Sequence, residues 1–406
     1  MKKRTMLVSL FVLIFLVGCA DITDSDEDAT KGSQVSSTQS VSKPETGSDI
    51  VTSEESASLT FADEEMELYV RKLIGREEGD LTAGDVETVD ALYLGNKDIH
   101  TINGIEHFTN LRILHLNDTQ IREISALAGL KQLEVLHMND TVVSDIQPLT
   151  ELSGLQSLKL RNTEVENIGA LAGLNQLHYL SLGNTKVKNI KALSGLTQLT
   201  ILELDNTPIR DAGVIAALTQ LMTLDMSGTE ISDVNSLAGL GNLLTLNLNS
   251  TAISDLSPLA GLAKLTRLDL NDTPVETIDS LAEMTELTHL EIRGAHVNGV
   301  AALANMTELV YLDLAQNRVS SIDSLAGLTK IRHLNLAGNQ INDITALASL
   351  ASLWYLDVKD NPISDIAPLT GLAKLGKLHI SQAGINAEQQ DMLQSALPGC
   401  DITWYE

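Results

Sequence analysis

Sampled every 22 residues from Tyr93, the chain reads Tyr93, His115, His137, Lys159, Ser181, Glu203, Asp225, Asn247, Asp269, Glu291, Asp313, Asn335, Asp357 and His379. These side chains can do chemistry, and so regular a spacing predicts that they stand side by side. His115 and His137 are of metal-ligand type and close enough to share an ion, but a zinc site takes three or four ligands and Lys159 comes next. The row favours an adventitious pair, and no metal or other cofactor is expected. The carboxylates from Glu203 to Asp357, relieved by Asn247 and Asn335, are the second feature. Like charges opposite one another destabilise a sheet. A chain that keeps them is either holding a cationic ligand or using a solvated face to deter aggregation, and both readings stay open. Paired acid–base work needs carboxyl groups within about 5–10 Å, whereas Glu203 and Glu291 lie four repeats apart. No His-Glu-x-x-His, Gly-x-Ser-x-Gly or phosphate-cradling glycine loop occurs. No catalytic residue is expected, and the chain does not read as an enzyme.

Aromatic residues are scarce, and their placement is informative. Tyr93, Tyr179, Tyr311, Trp354 and Tyr355 fall at variable positions of the repeat, on or at the rim of one face. Exposed Tyr and Trp are the usual anchors of protein interfaces. The expected hot spot joins Arg332, His333, Trp354, Tyr355 and Asp357, next to Tyr311 and Asp313; rings that only shield the sheet edge are the alternative. The whole candidate surface comprises Tyr179, Glu203, Asp225, Asp269, His289, Glu291, Tyr311, Asp313, Arg332, His333, Trp354, Tyr355 and Asp357.

The positioning element is a repeat. Thirteen steps of 22 residues link Val89 to Leu375 without insertion or deletion, and most copies open Leu-x-x-Leu-x-Leu. In the copy from Leu111 to Leu130, Ile113-Leu114-His115-Leu116-Asn117 alternates as a half-buried strand does. Beyond it the apolar residues fall in threes, which suits a short 3₁₀-like arc. One copy cannot close a core, so stacking must bury a continuous Leu/Ile column. The ninth position is Thr in eight successive copies, Thr119 to Thr273, and Asn at Asn317, Asn339 and Asn361. A short polar group there is expected to bond backbone of the next coil. Asp211-Ala212-Gly213 is expected to distort one arc, and Gly294-Ala295, which removes the ladder group, to leave a kink.

The full phrase, Leu-x-x-Leu-x-Leu-x-x-Thr/Asn-x-Ile-x-x-Ile-x-x-Leu-x-x-Leu, resembles the leucine-rich repeat in its 22-residue, internalin-like bacterial form over residues 89–380. The resemblance implies an α/β solenoid: a right-handed superhelix with a parallel concave β-sheet, short 3₁₀ or irregular convex arcs, and helical N- and C-terminal caps. It also implies protein binding, usually through the concave face, although one fold serves many partners.

The ends complete the organisation. Residues 1–18 read as a secretory signal, with Lys2, Lys3 and Arg4 before an apolar run too short to span a bilayer. Leu16-Val17-Gly18-Cys19 resembles the lipobox of bacterial lipoproteins, which implies lipidation of Cys19. Cys400 is then the other cysteine, expected to pack in the C-terminal cap. Residues 19–60, rich in Ser, Thr, Asp and Glu, cannot bury enough surface to order themselves and read as a flexible tether. Residues 61–88 are the expected helical cap, with Met66, Tyr69, Val70, Leu73 and Ile74 at helical spacing, and residues 381–406 the C-terminal cap. A formal charge of −27 opposes nucleic acid and docking on anionic lipid, leaving the N-terminal lipid as the membrane contact. It favours a protein partner with a basic surface, or solubility alone. The expectation is an extracytoplasmic, membrane-anchored lipoprotein of the bacterial cell surface that binds protein in an adhesive role. The alternative is an envelope-organising module that binds cell-wall polymer or another envelope protein. A monomer is the default.

Overall fold

The computed structural model describes residues 58–406. The expected signal peptide, Cys19 and the tether as far as residue 57 lie outside the described residues. Each repeat contributes one short strand, from β3 (Ala91–Tyr93) to β16 (Lys377–Ser381), and β17 (Asp401–Tyr405) completes a parallel sheet of 15 strands in chain order. The pairings from β3 to β16 are offset by 22 residues, so β13 (Tyr311–Asp313) lies on β14 (His333–Asn335) with Asp313 opposite Asn335.

The core is a set of columns. In one coil Leu111, Leu114, Leu116, Ile121, Ile124, Leu127 and Leu130 are all buried. Burying each such side chain contributes about 1.5–3 kcal/mol, but only once the neighbouring coil covers it. Phe108 is the one aromatic ring in this core among the described residues. The arcs close through 3₁₀ turns such as Ser125–Leu127 and Gly169–Gly173. Asp145, Asp233 and Asp343 open their arcs by accepting the backbone N–H two residues on, at 2.7–2.9 Å. Asp211 does the same for Gly213 at 2.9 Å, Ala212 is buried at the step usually held by isoleucine, and a regular 3₁₀ turn, Gly213–Ala217, follows. The expected distortion is therefore absent.

The ninth-position ladder differs from expectation. Each of the eight threonines donates its hydroxyl to a carbonyl three residues back in its own coil, as Thr119 does to Leu116 at 2.7 Å. A hydroxyl is too short to do more. The longer asparagine amide bridges coils. Asn317 Nδ2 donates to Leu314 O at 3.0 Å and to Ile292 O of the preceding coil at 2.6 Å, while its Oδ1 accepts from Val297 N. Ile292 O is the carbonyl a hydroxyl at position 295 would have taken. Asn317 thus covers the gap left by Ala295, and β12 (His289–Glu291) pairs with β13 in unbroken register, so the sheet carries no break there.

The eighth position is a second backbone column. Asn96, Asp118, Asp140, Asn162, Asn184 and Asn206 all have φ of 53–57°, and Gly228, Gly294 and Gly338 continue the series. The left-handed turn sends the chain out of the strand, and Asn, Asp and Gly are the residues that tolerate it.

Both ends are covered. β1 (Ser58–Leu59) pairs antiparallel with β2 (Leu81–Thr82) and Leu59 is buried, so the ordered cap takes in residues 58–60, assigned above to the tether. Between them α1 (Glu64–Ile74) starts at Asp63, which accepts the Met66 N–H at 3.1 Å, and stops at the left-handed Gly75. Met66 and Val70 face the first coil, but Leu73 points to solvent. A short α2 (Ala83–Val86) follows. At the far end α3 (Ala387–Ala396) opens with a reciprocal pair: Asn386 N donates to Gln389 Oε1 and Gln389 N to Asn386 Oδ1. Cys400 is buried there, and burial pushes its thiol up to about 11, which keeps it unreactive.

Candidate functional site

In each strand the middle residue faces the core, so the first and third residues stand on the open face. From β12 to β15 (Tyr355–Asp357) the first residues are His289, Tyr311, His333 and Tyr355. Their rings stack in sequence, with centroids 5.9, 4.3 and 4.1 Å apart and planes within 15, 9 and 5° of parallel. The sheet imposes this, because neighbouring strands lie about 4.8 Å apart. The rings cover one another's faces and present their edges. Among the described residues no group bonds the hydroxyls of Tyr311 or Tyr355. Burial, then the charges of Glu291 and Asp313, push the Tyr311 hydroxyl up to about 12, so it stays a donor. Burial also holds His289 and His333 below the usual imidazole range, leaving them neutral near pH 7. Arg267 and Lys377 bracket the stack in the same column.

The third residues form the acid row, and it is not bare. Asp225 accepts from Asn247 at 3.1 Å, and Asp313 from Asn335 at 3.0 Å. Arg267 reaches both Asp269, at 2.8 Å, and Glu291, at 3.0 Å. Lys359 holds Asp357 at 3.0 Å. Asp269 and Asp357 are buried, so the row differs from both a freely solvated face and an unneutralised stripe. Burial pushes Asp269 up to about 6 despite Arg267, and burial also raises Asp225 and Asp313. Beyond the row, Ala315 and Ala337 leave a hollow of about 190 Å³ between Arg293 and Lys359, floored by Asn335 and Asp357.

Of the residues singled out from sequence, His289, Glu291, Tyr311, Asp313, His333, Tyr355 and Asp357 come together on four adjacent strands, with Asp269 on the next, β11 (Arg267–Asp269). Arg332 and Trp354 directly precede β14 and β15 and lie at the rim. Tyr179 and Glu203 form their own pair at 2.9 Å, several strands away, and Asp225 stands apart with Ser227 and Asn247. His115 and His137 stack at 4.5 Å with planes 18° apart, so their in-plane nitrogens run alongside each other instead of converging on one ion. His137 Nε2 lies 3.1 Å from Ser157 Oγ. The residues overlooked are the cations that neutralise the acids: Arg161, which holds Asp205 at 2.6 Å, with Arg267 and Lys359. They recur in the columns two places either side of the acid row, where the same 22-residue count would have found them.

A family model described as leucine-rich repeats (2 copies) matches residues 109–151, 241–283 and 307–349. An internalin of Listeria monocytogenes, InlF, superposes with a TM-score of 0.77 at 29% identity, covering 78% of this chain and 95% of its own. The functional domain of L. monocytogenes InlJ gives 0.70 at 21% identity, covering 79% and 75%. A leucine-rich repeat protein of Leptospira interrogans gives 0.63 at 18%, covering 78% and 84%. No curated protein matches the chain by sequence.

Proposed function

We propose that this leucine-rich repeat solenoid, internalin-like in its repeats, is a protein-binding module of the bacterial cell surface. In this reading a lipid on Cys19 tethers it, and the concave face between β11 and β15 takes a basic segment of a partner protein. One observation carries the proposal: the core uses leucine and isoleucine almost throughout, while four aromatic rings are built in a row on the open face. A pre-stacked row has little rotamer freedom left to lose, which favours binding. Its ring edges offer hydroxyl and imidazole groups, and Asp313, whose partner is the neutral Asn335, is the carboxylate of this face left to meet a cation of the partner. Extended concave surfaces are also what repeat solenoids use for recognition. No helix among the described residues is long and apolar enough to cross a membrane.

The test is capture by the intact surface protein. Replacing Tyr355 and Asp313 together by Ala is expected to lower capture of its crosslinked partner at least tenfold, as loss of an interface anchor does, with the melting midpoint little changed. Undiminished capture by a folded double variant would remove this face from the proposal.

A further inference from the structure

We infer that the rim beside Trp354 is a second binding site, for an acidic saccharide, with a sugar ring on the indole and its carboxylate or phosphate between Arg332 and Lys374. This takes Arg332 and Trp354 out of the protein-binding face and gives them a ligand of opposite charge. The indole is 58% exposed, yet it is held in place. Gly376 occupies the equivalent position one coil on, where it is the one glycine of its 22-residue column, and the ring fills the space its side chain would need. A Cβ there would sit 2.4 Å from the indole Nε1. Trp354 N donates to Arg332 O and Gly376 N to Trp354 O, both at 2.9 Å, so the backbone that carries the indole is fixed to consecutive coils. Among the described residues no ring or cation stacks on the indole.

The surrounding charge points to an anion. Arg332, Trp354, Lys374 and Ser352 line an open hollow of about 400 Å³. Arg112, Arg161, Arg267, Lys330 and Lys359 each have an acid partner. Arg332 and Lys374, like Lys72, Lys131, Arg318 and Lys377, have none among the described residues, and these two stand together on one hollow. Two strand spacings, about 10 Å, separate the backbones of Arg332 and Gly376, which is room for one sugar and its acid group. The overall negative charge opposes any polyanion, and one acid group on a sugar meets less of that repulsion than a polyphosphate chain or an anionic bilayer. A flat, one-sided aromatic platform suits the apolar face of a sugar ring and gives an acidic peptide little to use.

Calorimetric titration of the intact protein at low salt with hyaluronan hexasaccharide, mannose 6-phosphate and neutral chitohexaose tests this. At least one acidic sugar should bind ten times more tightly than the neutral one. Trp354→Ala and Lys374→Glu should each weaken that binding at least tenfold, and Gly376→Ala, which displaces the indole, should weaken it too. The Tyr355→Ala, Asp313→Ala double variant should bind within twofold of the parent, so failure here and failure of the protein-binding face remain distinguishable. The inference is overturned if neither acidic sugar binds, if folded Trp354→Ala binds as the parent does, or if hepta-glutamate binds as tightly as the sugar.

Discussion

The amide of Asn339 and the hydroxyl of Thr185 occupy the same step of the repeat, but only the amide reaches the neighbouring coil. Asn339 donates to Leu314 O and Leu336 O and accepts from Val319 N, all buried, whereas Thr185 makes one bond within its own coil. Asn339→Ala leaves the buried Val319 N–H without its acceptor, while Leu314 O and Leu336 O keep the amides of Asn317 and Asn361, and is expected to cost about 2 kcal/mol. Thr185→Val should cost about 1 kcal/mol, and urea unfolding of the two variants measures the difference. Asp269 makes a pH-dependent prediction. Its folded pKa is raised from 3.8 to about 6, so between those values the folded protein holds a proton that the unfolded chain has released. Its contribution to stability therefore falls as pH rises through that window and is lost above it. Asp269→Asn should stabilise by about 1–3 kcal/mol at pH 8, with the gain vanishing toward pH 4. Thermal melts of both proteins across that range decide it.

At the scale of one coil, the left-handed eighth position sets where the strand ends. Asn and Asp take it readily, but Ser250 holds φ at 55° without a short side-chain amide or carboxylate to ease it. Ser250→Gly should therefore raise stability by about 0.5–1 kcal/mol, read as a rise in the melting midpoint. This column was legible in the sequence, since Asn96, Asp118, Asp140 and their successors recur on the same count, but only to a reader asking which step needs positive φ. The strands and buried columns were legible because alternation and the 22-residue period agree. Asp211 and Gly294 misled because local departures are absorbed by neighbours: an aspartate turn in the first case, the reach of Asn317 in the second. The acid row and the rings of the candidate face were readable from register alone. The stacking of His289 through Tyr355 and the bridging by Arg267 were not, because they depend on rotamers and on columns read together.

Over the whole solenoid the columns are uneven. The hydroxyl ladder runs through the earlier coils and the bridging amides through Asn317, Asn339 and Asn361, beneath the ring stack. The coils that carry the candidate face are thus tied to one another more firmly than those before them, as suits a surface that must not reorganise when it binds. The constant offset of 22 has a further consequence. Each coil offers its successor the same edge that it received, so Ser157, now opposite Tyr179, could equally lie opposite Ile201. Excising residues 177–198 should leave a protein that still melts cooperatively, shorter by about 4.8 Å, with the stack from His289 to Tyr355 intact; loss of cooperative melting would contradict this. Such a molecule behaves like a ruler with interchangeable segments. Its length can be edited by whole units without blurring the graduation, so the distance at which it displays its recognition surface can be tuned separately from the surface itself.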